Sequence, residues 1–410
     1  MKILFVSNLY PPNVVGGYEK LCGDVAAAFV ARGHHVTVLT SCYGRSISRH
    51  SGQVVHQALQ LLIGDNIYSG FSGSSSRRNA INIANITAAN RVIDDTRPDA
   101  IFCWNLYALD RSLLDALSAR GIPIMIMLTD NWLISMVNPD FLGTYFKTQV
   151  YDGGTSQPVY AQPQSGVHKL SLPCSAIFGA GFMEDLYTAA GITFARTAIV
   201  HNGVRQDLHP ASAYADRTRL VRDGEFNLLF AGRVVEIKGV HTAIEALPLL
   251  KLNGMPRIRL TIVGESQDQA YIKRLRETAE RLGCAENIEF REPVRESELF
   301  DLFQSYDAYL FPSLYEPFSL TLILALAAGI PTVASHVGGN SEIINDGKTG
   351  LLFPRNDAAG LASAVIKLIT TPELRTSLSA GGRAVSAGFT FEKMVDGMEG
   401  FINGTLHDAV

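Results

Sequence analysis

FNLLFAGRVVEIKG, residues 226–239, is the most informative stretch of this sequence. It begins with an apolar run without polar alternation, which is typical of a strand covered on both faces of a parallel sheet. Gly232 follows the run directly, and Arg233 and Lys238 add two cations beside the strand end. Open parallel sheets bind ligands beyond the carboxyl ends of their strands. The stretch therefore predicts an α/β fold with a ligand site at this strand end.

The same alternation of short apolar runs and amphipathic stretches extends over the whole chain, which indicates repeated βαβ units. In the first half the runs are residues 3–6, 36–40, 101–104, 124–128, 176–178 and 198–200. In the second half they are residues 226–230, 259–263, 288–290, 308–311, 332–334 and 350–353. We expect two doubly wound, Rossmann-like domains whose strand ends face a central cleft.

The length of 410 residues also favours two large domains. A turn at His201-Asn202-Gly203 and a polar stretch over 205–224 predict the boundary, with domains at 1–204 and 205–388. Residues 151–173, rich in Gly, Gln, Ser and Pro, are expected to form a long loop. Thr371-Pro372 and Thr390 resemble helix starts, so the C-terminus should be helical.

Composition excludes several classes of protein. Hydrophobic residues make up 47% of the chain and charged residues 18%, which argues against extensive disorder. The net charge is −4 without a block of like charges, so nucleic acid is not an expected partner. The five cysteines are odd in number and lack a C-x-x-C spacing, and the histidines lack ligand-like spacing. Neither a disulfide framework nor a metal site is predicted, and a reducing cytoplasm fits best.

The uncharged segment 317–341 could be mistaken for a membrane span. Gly329-Ile330-Pro331 interrupts its apolar part, which leaves fewer than the roughly 20 residues that a spanning helix needs. A buried helix followed by a buried strand is expected instead.

A second motif, PSLYEPFSL, covers residues 312–320 between a strand and that helix. The N–H groups of Ser319, Leu320 and Thr321 would form an anion site at the positive end of the helix. Glu316 lies just upstream, where a carboxylate can accept hydrogen bonds from ligand hydroxyls. The alternatives are that Glu316 is a solvated loop carboxylate and that Arg233 and Lys238 form ordinary surface ion pairs.

Gly16-Gly17 lies between the first strand and the first helix. The fingerprint G-x-G-x-x-G is absent there, which argues against a nicotinamide dinucleotide site.

Together these motifs resemble those of the retaining, GT-B-fold glycosyltransferases of sequence family four, also called glycosyl transferases group 1. The resemblance covers nearly the whole chain. It rests on Gly16-Gly17, Asn202-Gly203-Val204, residues 232–239, Val263-Gly264-Glu265, Pro312-Ser313, Glu316-Pro317-Phe318, residues 327–331, and Gly338-Gly339 with Glu342.

The resemblance implies transfer of a sugar from a nucleotide donor, a UDP- or GDP-sugar, to an acceptor hydroxyl, with retention and without a metal or other cofactor. Arg233 and Lys238 would hold the donor diphosphate beside Gly232, and Glu316 would contact hydroxyls of the transferred sugar. The amides around Ser319 and Leu320 would complete the diphosphate site. Gly16 and Gly17 would approach the phosphate from the other domain. The C-terminal helix, expected within 389–410, would return to the N-terminal domain.

Two positions depart from the family pattern. The family has a second glutamate eight positions after the first, for the donor ribose, where this chain has Leu324. After the strand at 124–128, many members have His-Asp, where this chain has Thr129-Asp130. Asp130 keeps a carboxylate near the expected reaction site, although it could merely cap local backbone. Both changes favour an atypical or weakened enzyme.

Alternatives remain open. The same architecture serves sugar phosphorylases and sugar-nucleotide epimerases, and a non-catalytic sugar-nucleotide-binding partner of another enzyme is also compatible with Leu324 and Thr129. The acceptor could be a glycan, a lipid-linked sugar or a small molecule. Arg77-Arg78 and Arg91 leave peripheral contact with the inner membrane face open. The sequence does not identify the base, the sugar, the acceptor or the oligomeric state.

Overall fold

The computed structural model describes residues 1–44, 52–67, 69–154, 164–205, 224–250, 257–266 and 268–407. The chain divides into two compact units. Unit 1 comprises Met1–Leu142, Tyr160–Val200 and Val395–Val410, and unit 2 comprises Gly143–Val159 and His201–Met394. The segment that begins at Gly143 thus clusters with unit 2, although it lies within the first domain expected from the sequence.

Unit 1 is built on a parallel sheet of seven strands. These are β1 (Lys2–Val6), β2 (His35–Ser41), β3 (Gln53–Leu59), β4 (Ala100–Cys103), β5 (Ile124–Leu128), β6 (Leu170–Phe178) and β7 (Ile192–Ile199). Their order is β3-β2-β1-β4-β5-β6-β7. The order reverses between β1 and β4, which is where doubly wound sheets bind ligands.

The helices of unit 1 are α1 (Gly17–Ala31), α2 (Ser75–Thr96), α3 (Arg111–Ser118), α4 (Trp132–Val137) and α6 (Gly181–Ala189), and α5 (Pro139–Tyr145) ends in unit 2. Side-chain caps explain where several of them begin. Ser74 accepts the N–H of Arg77 at the start of α2, and Asp110 accepts the N–H of Ser112 at the start of α3.

Unit 2 contains a parallel sheet of six strands. These are β8 (Glu225–Ala231), β9 (Arg257–Val263), β10 (Ile288–Arg291), β11 (Ala308–Phe311), β12 (Thr332–Ser335) and β13 (Leu351–Phe353). Their order is β10-β9-β8-β11-β12-β13, so the reversal lies between β8 and β11. Strand β11 is buried throughout, and β8 is buried from Leu228 onward. The two continuous apolar runs therefore form central strands of the sheet, as the sequence predicted.

The helices of unit 2 are α7 (Val240–Ala246), α8 (Gln269–Arg281), α9 (Glu296–Gln304), α10 (Leu320–Ala327), α11 (Asn340–Ile343), α12 (Ala358–Thr370) and α13 (Pro372–Ser386). Helix α14 (Phe391–His407) begins in unit 2 and ends in unit 1. The hydroxyl of Thr390 accepts the N–H of Lys393, which confirms the expected helix start.

The sequence predicted two doubly wound α/β domains, and this architecture is confirmed. The expectation of a loop over 151–173 is wrong at its end, because β6 begins at Leu170 and pairs with β7. Most of the expected linker at 205–224 lies outside the described residues. The buried apolar helix predicted near 320–328 is α10, and no helix within the described ranges is long and apolar enough to cross a membrane.

Candidate functional site

In unit 2 the loop after β8 and the loop after β11 touch each other. Gly239 has φ of +66°, and a Cβ at this position would lie 1.9 Å from the carbonyl oxygen of Pro312. The N–H of Leu314 also donates to the carbonyl of Ile237 at 2.8 Å. Only glycine fits this conformation and this close approach, so Gly239 brings the two loops together.

This approach joins two residues of the predicted site. Lys238 Nζ lies 2.5 Å from Glu316 Oε2, and the side chains of Lys238 and Glu316 are 19% and 8% exposed. Ser313 Oγ donates to the same carboxylate oxygen at 3.4 Å. The other oxygen of Glu316 has no hydrogen-bond partner among the described residues. Glu316 is therefore a held, largely buried carboxylate with one oxygen available, not a solvated loop residue.

Arg233 differs from Lys238 in its surroundings. It is exposed, and within the described part of the chain its guanidinium makes no ion pair or hydrogen bond. Its backbone is fixed on both sides, because Gly232 donates to the carbonyl of Val263 and Val234 donates to that of Glu265. The alternative of an ordinary surface ion pair is wrong for Arg233, and the ion pair of Lys238 is with another residue of the predicted site.

Helix α10 begins a few residues after Glu316, and its first turn presents backbone N–H donors. Ser319 is the N-cap residue, and its Oγ accepts the N–H of Leu322 at 3.1 Å. The N–H groups of Leu320 and Thr321 have no acceptor among the described residues. Unsatisfied amides at the positive end of a helix favour an anion. The N–H groups of Leu320 and Thr321 are therefore available to a phosphate, while the hydroxyl of Ser319 serves the helix itself.

Leu324 lies one turn further along α10 and is 7% exposed. An aliphatic side chain there offers no hydrogen bond to a ligand, in contrast to the glutamate that the family has at this position.

In unit 1, Gly16 and Gly17 lie at the start of α1, beyond the end of β1. A Cβ at either glycine would meet no atom within 4 Å, and both residues are exposed. The fold of unit 1 therefore has no steric need for glycine here, which leaves room for a ligand to approach the backbone closely.

Sequence reasoning missed Glu19, which is buried at the same helix start. Its carboxylate accepts the N–H of Gly16 at 2.9 Å and that of Val15 at 3.3 Å. The spacing of a glutamate three residues after the N-cap was the signal that could have identified it.

Asp130 follows β5, at the other side of the reversal in the sheet order. Its Oδ1 accepts the N–H of Trp132 at 3.0 Å, and the hydroxyl of Tyr187 donates to its carbonyl. Burial raises the pKa of Asp130 to about 6, and the negative charge of Glu19 acts in the same direction. Asp130 therefore caps local backbone, and its second carboxylate oxygen has no partner among the described residues. Its role near the reaction site stays a prediction.

Other side chains of interest in these units have structural roles. Trp104 and Trp132 are buried in unit 1. His201 stacks on Phe318, and its Nε2 lies 3.0 Å from Glu342 Oε2. His201 therefore packs against the loop after β11. No group of three or more potential metal-ligating side chains occurs in the described ranges.

Comparison with known proteins identifies the class. The model of the family "Glycosyl transferases group 1" matches residues 215–385, and that of "Glycosyltransferase Family 4" matches residues 15–156. Two parallel α/β units with these motifs are the GT-B fold of glycosyltransferases. The chain belongs to the glycosyl transferases of group 1, family four, and the resemblance seen in the sequence is confirmed.

Individual relatives differ in what they do. The glycogen synthase of Mycobacterium tuberculosis (strain ATCC 25618 / H37Rv) is 29% identical over 384 residues, covering 91% of this chain and 87% of that protein. A D-inositol 3-phosphate glycosyltransferase of Streptomyces scabiei is 32% identical over 222 residues, covering 52% of this chain and 50% of that protein.

Solved structures agree on the fold. Sucrose-phosphate synthase from Thermosynechococcus elongatus has a TM-score of 0.71 at 20% identity, covering 100% of both chains. Anabaena Alr3699/HepE, solved in complex with UDP and glucose, has a TM-score of 0.68 at 19% identity, covering 98% of this chain and 100% of that chain.

Proposed function

We propose that this protein transfers a sugar from a nucleoside diphosphate donor to an acceptor hydroxyl, with retention of configuration and without a metal ion. One observation chiefly supports the proposal. Arg233, which has no side-chain partner among the described residues, and the Lys238–Glu316 pair lie at the carboxyl ends of β8 and β11, beside the reversal in the order of the sheet.

The cations and amides of unit 2 suit a diphosphate leaving group. When the bond between the sugar C1 and the phosphate oxygen breaks, negative charge grows on the diphosphate. Arg233, Lys238 and the amides of Leu320 and Thr321 stabilise that charge, because prearranged donors need no reorganisation during the reaction. These groups supply the positive charge that the departing diphosphate requires.

The remaining steps follow from the proposed retention. The departing phosphate oxygen takes the proton of the acceptor hydroxyl, and the acceptor oxygen bonds to C1 on the face that the phosphate leaves. The unpartnered oxygen of Glu316 accepts a hydrogen bond from a hydroxyl of the transferred sugar. Asp130 of unit 1, with a pKa of about 6, is mostly ionised at neutral pH and can accept a hydrogen bond from the acceptor.

A UDP-sugar is the first donor to test, since the structural relative from Anabaena was solved with UDP-glucose. A GDP-sugar is the second. The protein is incubated with each donor and with glucan, inositol phosphate or a lipid-linked sugar, and the product is analysed by NMR. We expect a product with the anomeric configuration of the donor, in the presence of EDTA as in its absence. An inverted product would contradict retention, and loss of activity in EDTA would contradict metal independence.

Leu324 and Thr129 favour a second candidate, a protein that binds a sugar nucleotide without transferring the sugar. It would bind the donor and release neither free sugar nor product over long incubation. The same assays with inorganic phosphate, or with no acceptor, separate a phosphorylase or an epimerase from both.

A further inference from the structure

Residues 143–154, which we call the inserted segment, lie in the first half of the sequence but belong to unit 2. They comprise the end of α5 and a π-helix over Phe146–Tyr151. Such π-helical turns are rare and often occur at functional sites. The proposed function assigns this segment no role.

The inserted segment packs on the residue that precedes Glu316. The ring of Phe146 lies 5.0 Å from the ring of Tyr315 at an interplanar angle of 63°, and the ring of Tyr145 lies 6.1 Å from it at 74°. Edge-to-face pairs of this kind are favourable beyond the area they bury. Tyr315 is buried, and both rings of the inserted segment pack against its ring.

The loop after β11, which contains Tyr315 and Glu316, makes further contacts within unit 2. The N–H of Gly339 donates to the carbonyl of Glu316 at 3.0 Å, and Ser335 Oγ donates to the carbonyl of Ser313 at 2.5 Å. The carboxylate of Glu316 is held by Lys238 and Ser313. Among these contacts, the rings of Tyr145 and Phe146 come from a distant part of the sequence.

The far end of the inserted segment is also anchored in unit 2. Arg355 Nε donates to the carbonyl of Gly154 at 3.2 Å, and the Arg355 side chain is buried. The inserted segment therefore contacts unit 2 at both of its ends, at Tyr315 and at Arg355.

We propose that Phe146 is a positioning residue that acts through Tyr315 to place the Glu316 carboxylate on the sugar of the donor. This inference rests on the proposed function. In the described part of the chain, Phe146 makes no hydrogen bond, ring contact or electrostatic interaction with the diphosphate-binding groups Arg233 and Leu320. We therefore expect it to act on recognition of the sugar and not on recognition of the nucleoside diphosphate. Misplacement of a reacting or binding group by about 1 Å is enough for a large loss of activity.

The test compares a nucleoside diphosphate with its sugar form. Calorimetry measures the affinities for UDP and UDP-glucose, and for GDP and GDP-glucose, in the wild-type protein and in Phe146→Ala. The comparison uses whichever of the two nucleotide pairs the wild type binds. We expect Phe146→Ala to lower the affinity for the sugar nucleotide about tenfold and to leave the affinity for the free diphosphate unchanged. Phe146→Tyr should restore the wild-type ratio.

Phe194→Ala is the matched control. Phe194 is half-buried like Phe146 and also packs against aromatic rings, those of Phe178 and Tyr187, but it lies in unit 1. Phe194→Ala should not change the ratio of the two affinities. If Phe146→Ala does not fold, Phe146→Leu replaces it, with the same expected direction.

The outcomes separate the two proposals. An unchanged ratio in a folded Phe146 variant of a protein that binds sugar nucleotides would overturn the role of Phe146 alone. Equal losses for diphosphate and sugar nucleotide would also overturn it, because they indicate general damage to unit 2. If the wild type binds neither sugar nucleotide, the proposed donor is wrong and the inference falls with it.

Discussion

Lys238 and Glu316 are 78 positions apart in the sequence, yet their side chains form an ion pair of 2.5 Å. A partly buried pair of this kind leaves an uncompensated charge when one partner is removed. Each side chain thus holds the other in place and also has its own proposed ligand. The lysine is proposed to bind phosphate, and the glutamate to bind sugar.

Lys238→Ala should lower the rate of sugar transfer by a factor on the order of 100 or more, because it removes a charge that stabilises the leaving diphosphate. Circular dichroism should show that the fold is retained. Lys273→Ala is the control, since Lys273 is an exposed cation of unit 2 whose one ion pair among the described residues is with Glu277 in the same helix. Full activity of Lys238→Ala would refute the assignment.

Leu324→Glu should tighten the binding of UDP or GDP by about tenfold or more, because a carboxylate can accept hydrogen bonds from both ribose hydroxyls. Leu324→Gln has a similar shape without the charge and should give a smaller gain. Calorimetry measures both. Unchanged affinity in the glutamate variant would show that the ribose does not lie beside α10.

The sequence indicated most of these residues, since strand ends, cations and helix starts are visible locally. It could not show which cation is paired, because the contact of Lys238 with Glu316 depends on how two distant loops meet. Glu19 has a local capping spacing, but its burial depends on how α1 packs in unit 1, which the sequence does not show.

Among the elements, the loop that contains Gly239 depends most on one residue. Gly239→Ala combines a left-handed backbone with a clash against the carbonyl of Pro312 and should destabilise the protein by about 2–5 kcal/mol. Gly283→Ala is the matched control, because Gly283 has φ of +62° but open space around its Cβ, so only about 1–2 kcal/mol is expected. Urea unfolding measures both, and equal losses would contradict the close approach of the two loops.

Helix α14 is held to unit 1 by charges. Arg32 and His34 hydrogen-bond to Glu399 at 2.6 and 2.7 Å, and the bond from Arg32 above all lowers the pKa of Glu399. A lowered pKa in the folded state stabilises the protein above the pKa of the unfolded state. This stabilisation is lost as the pH falls through the folded value.

Glu399→Gln should therefore be less stable than the wild type at neutral pH. The difference should shrink below about pH 4.3, the ordinary value for glutamate. Urea unfolding at several pH values measures it. Asp95→Asn, which removes a weak exposed pair with Arg91, should show little difference at any pH. A difference for Glu399→Gln that does not depend on pH would contradict the ionic role.

Elements were predictable where their strands are buried, because continuous apolar runs identify them. Strand β3 was not predicted, since it lies at the sheet edge and is largely half-exposed, with Gln53, His56 and Gln57 within it. The sequence also did not predict that residues 143–154 belong to unit 2. This assignment depends on contacts between Phe146 and Tyr315 that no local pattern indicates.

In the whole molecule, the candidate residues follow strands that border the reversal of each sheet or lie one strand from it. In unit 1, Gly16 and Gly17 follow β1 and Asp130 follows β5. In unit 2, the cations follow β8, and Glu316 and the start of α10 follow β11. The proposed donor contacts of unit 2 can therefore be tested separately from those of unit 1.

The proposed diphosphate site is tested most directly by a calorimetric titration of UDP and GDP into the wild type, Arg233→Ala, Lys238→Ala and the control Lys273→Ala. We expect the wild type to bind at least one of these diphosphates, each site variant to bind it about 10- to 100-fold more weakly, and the control to be unchanged. Undiminished affinity in both site variants would show that the two cations do not hold the diphosphate.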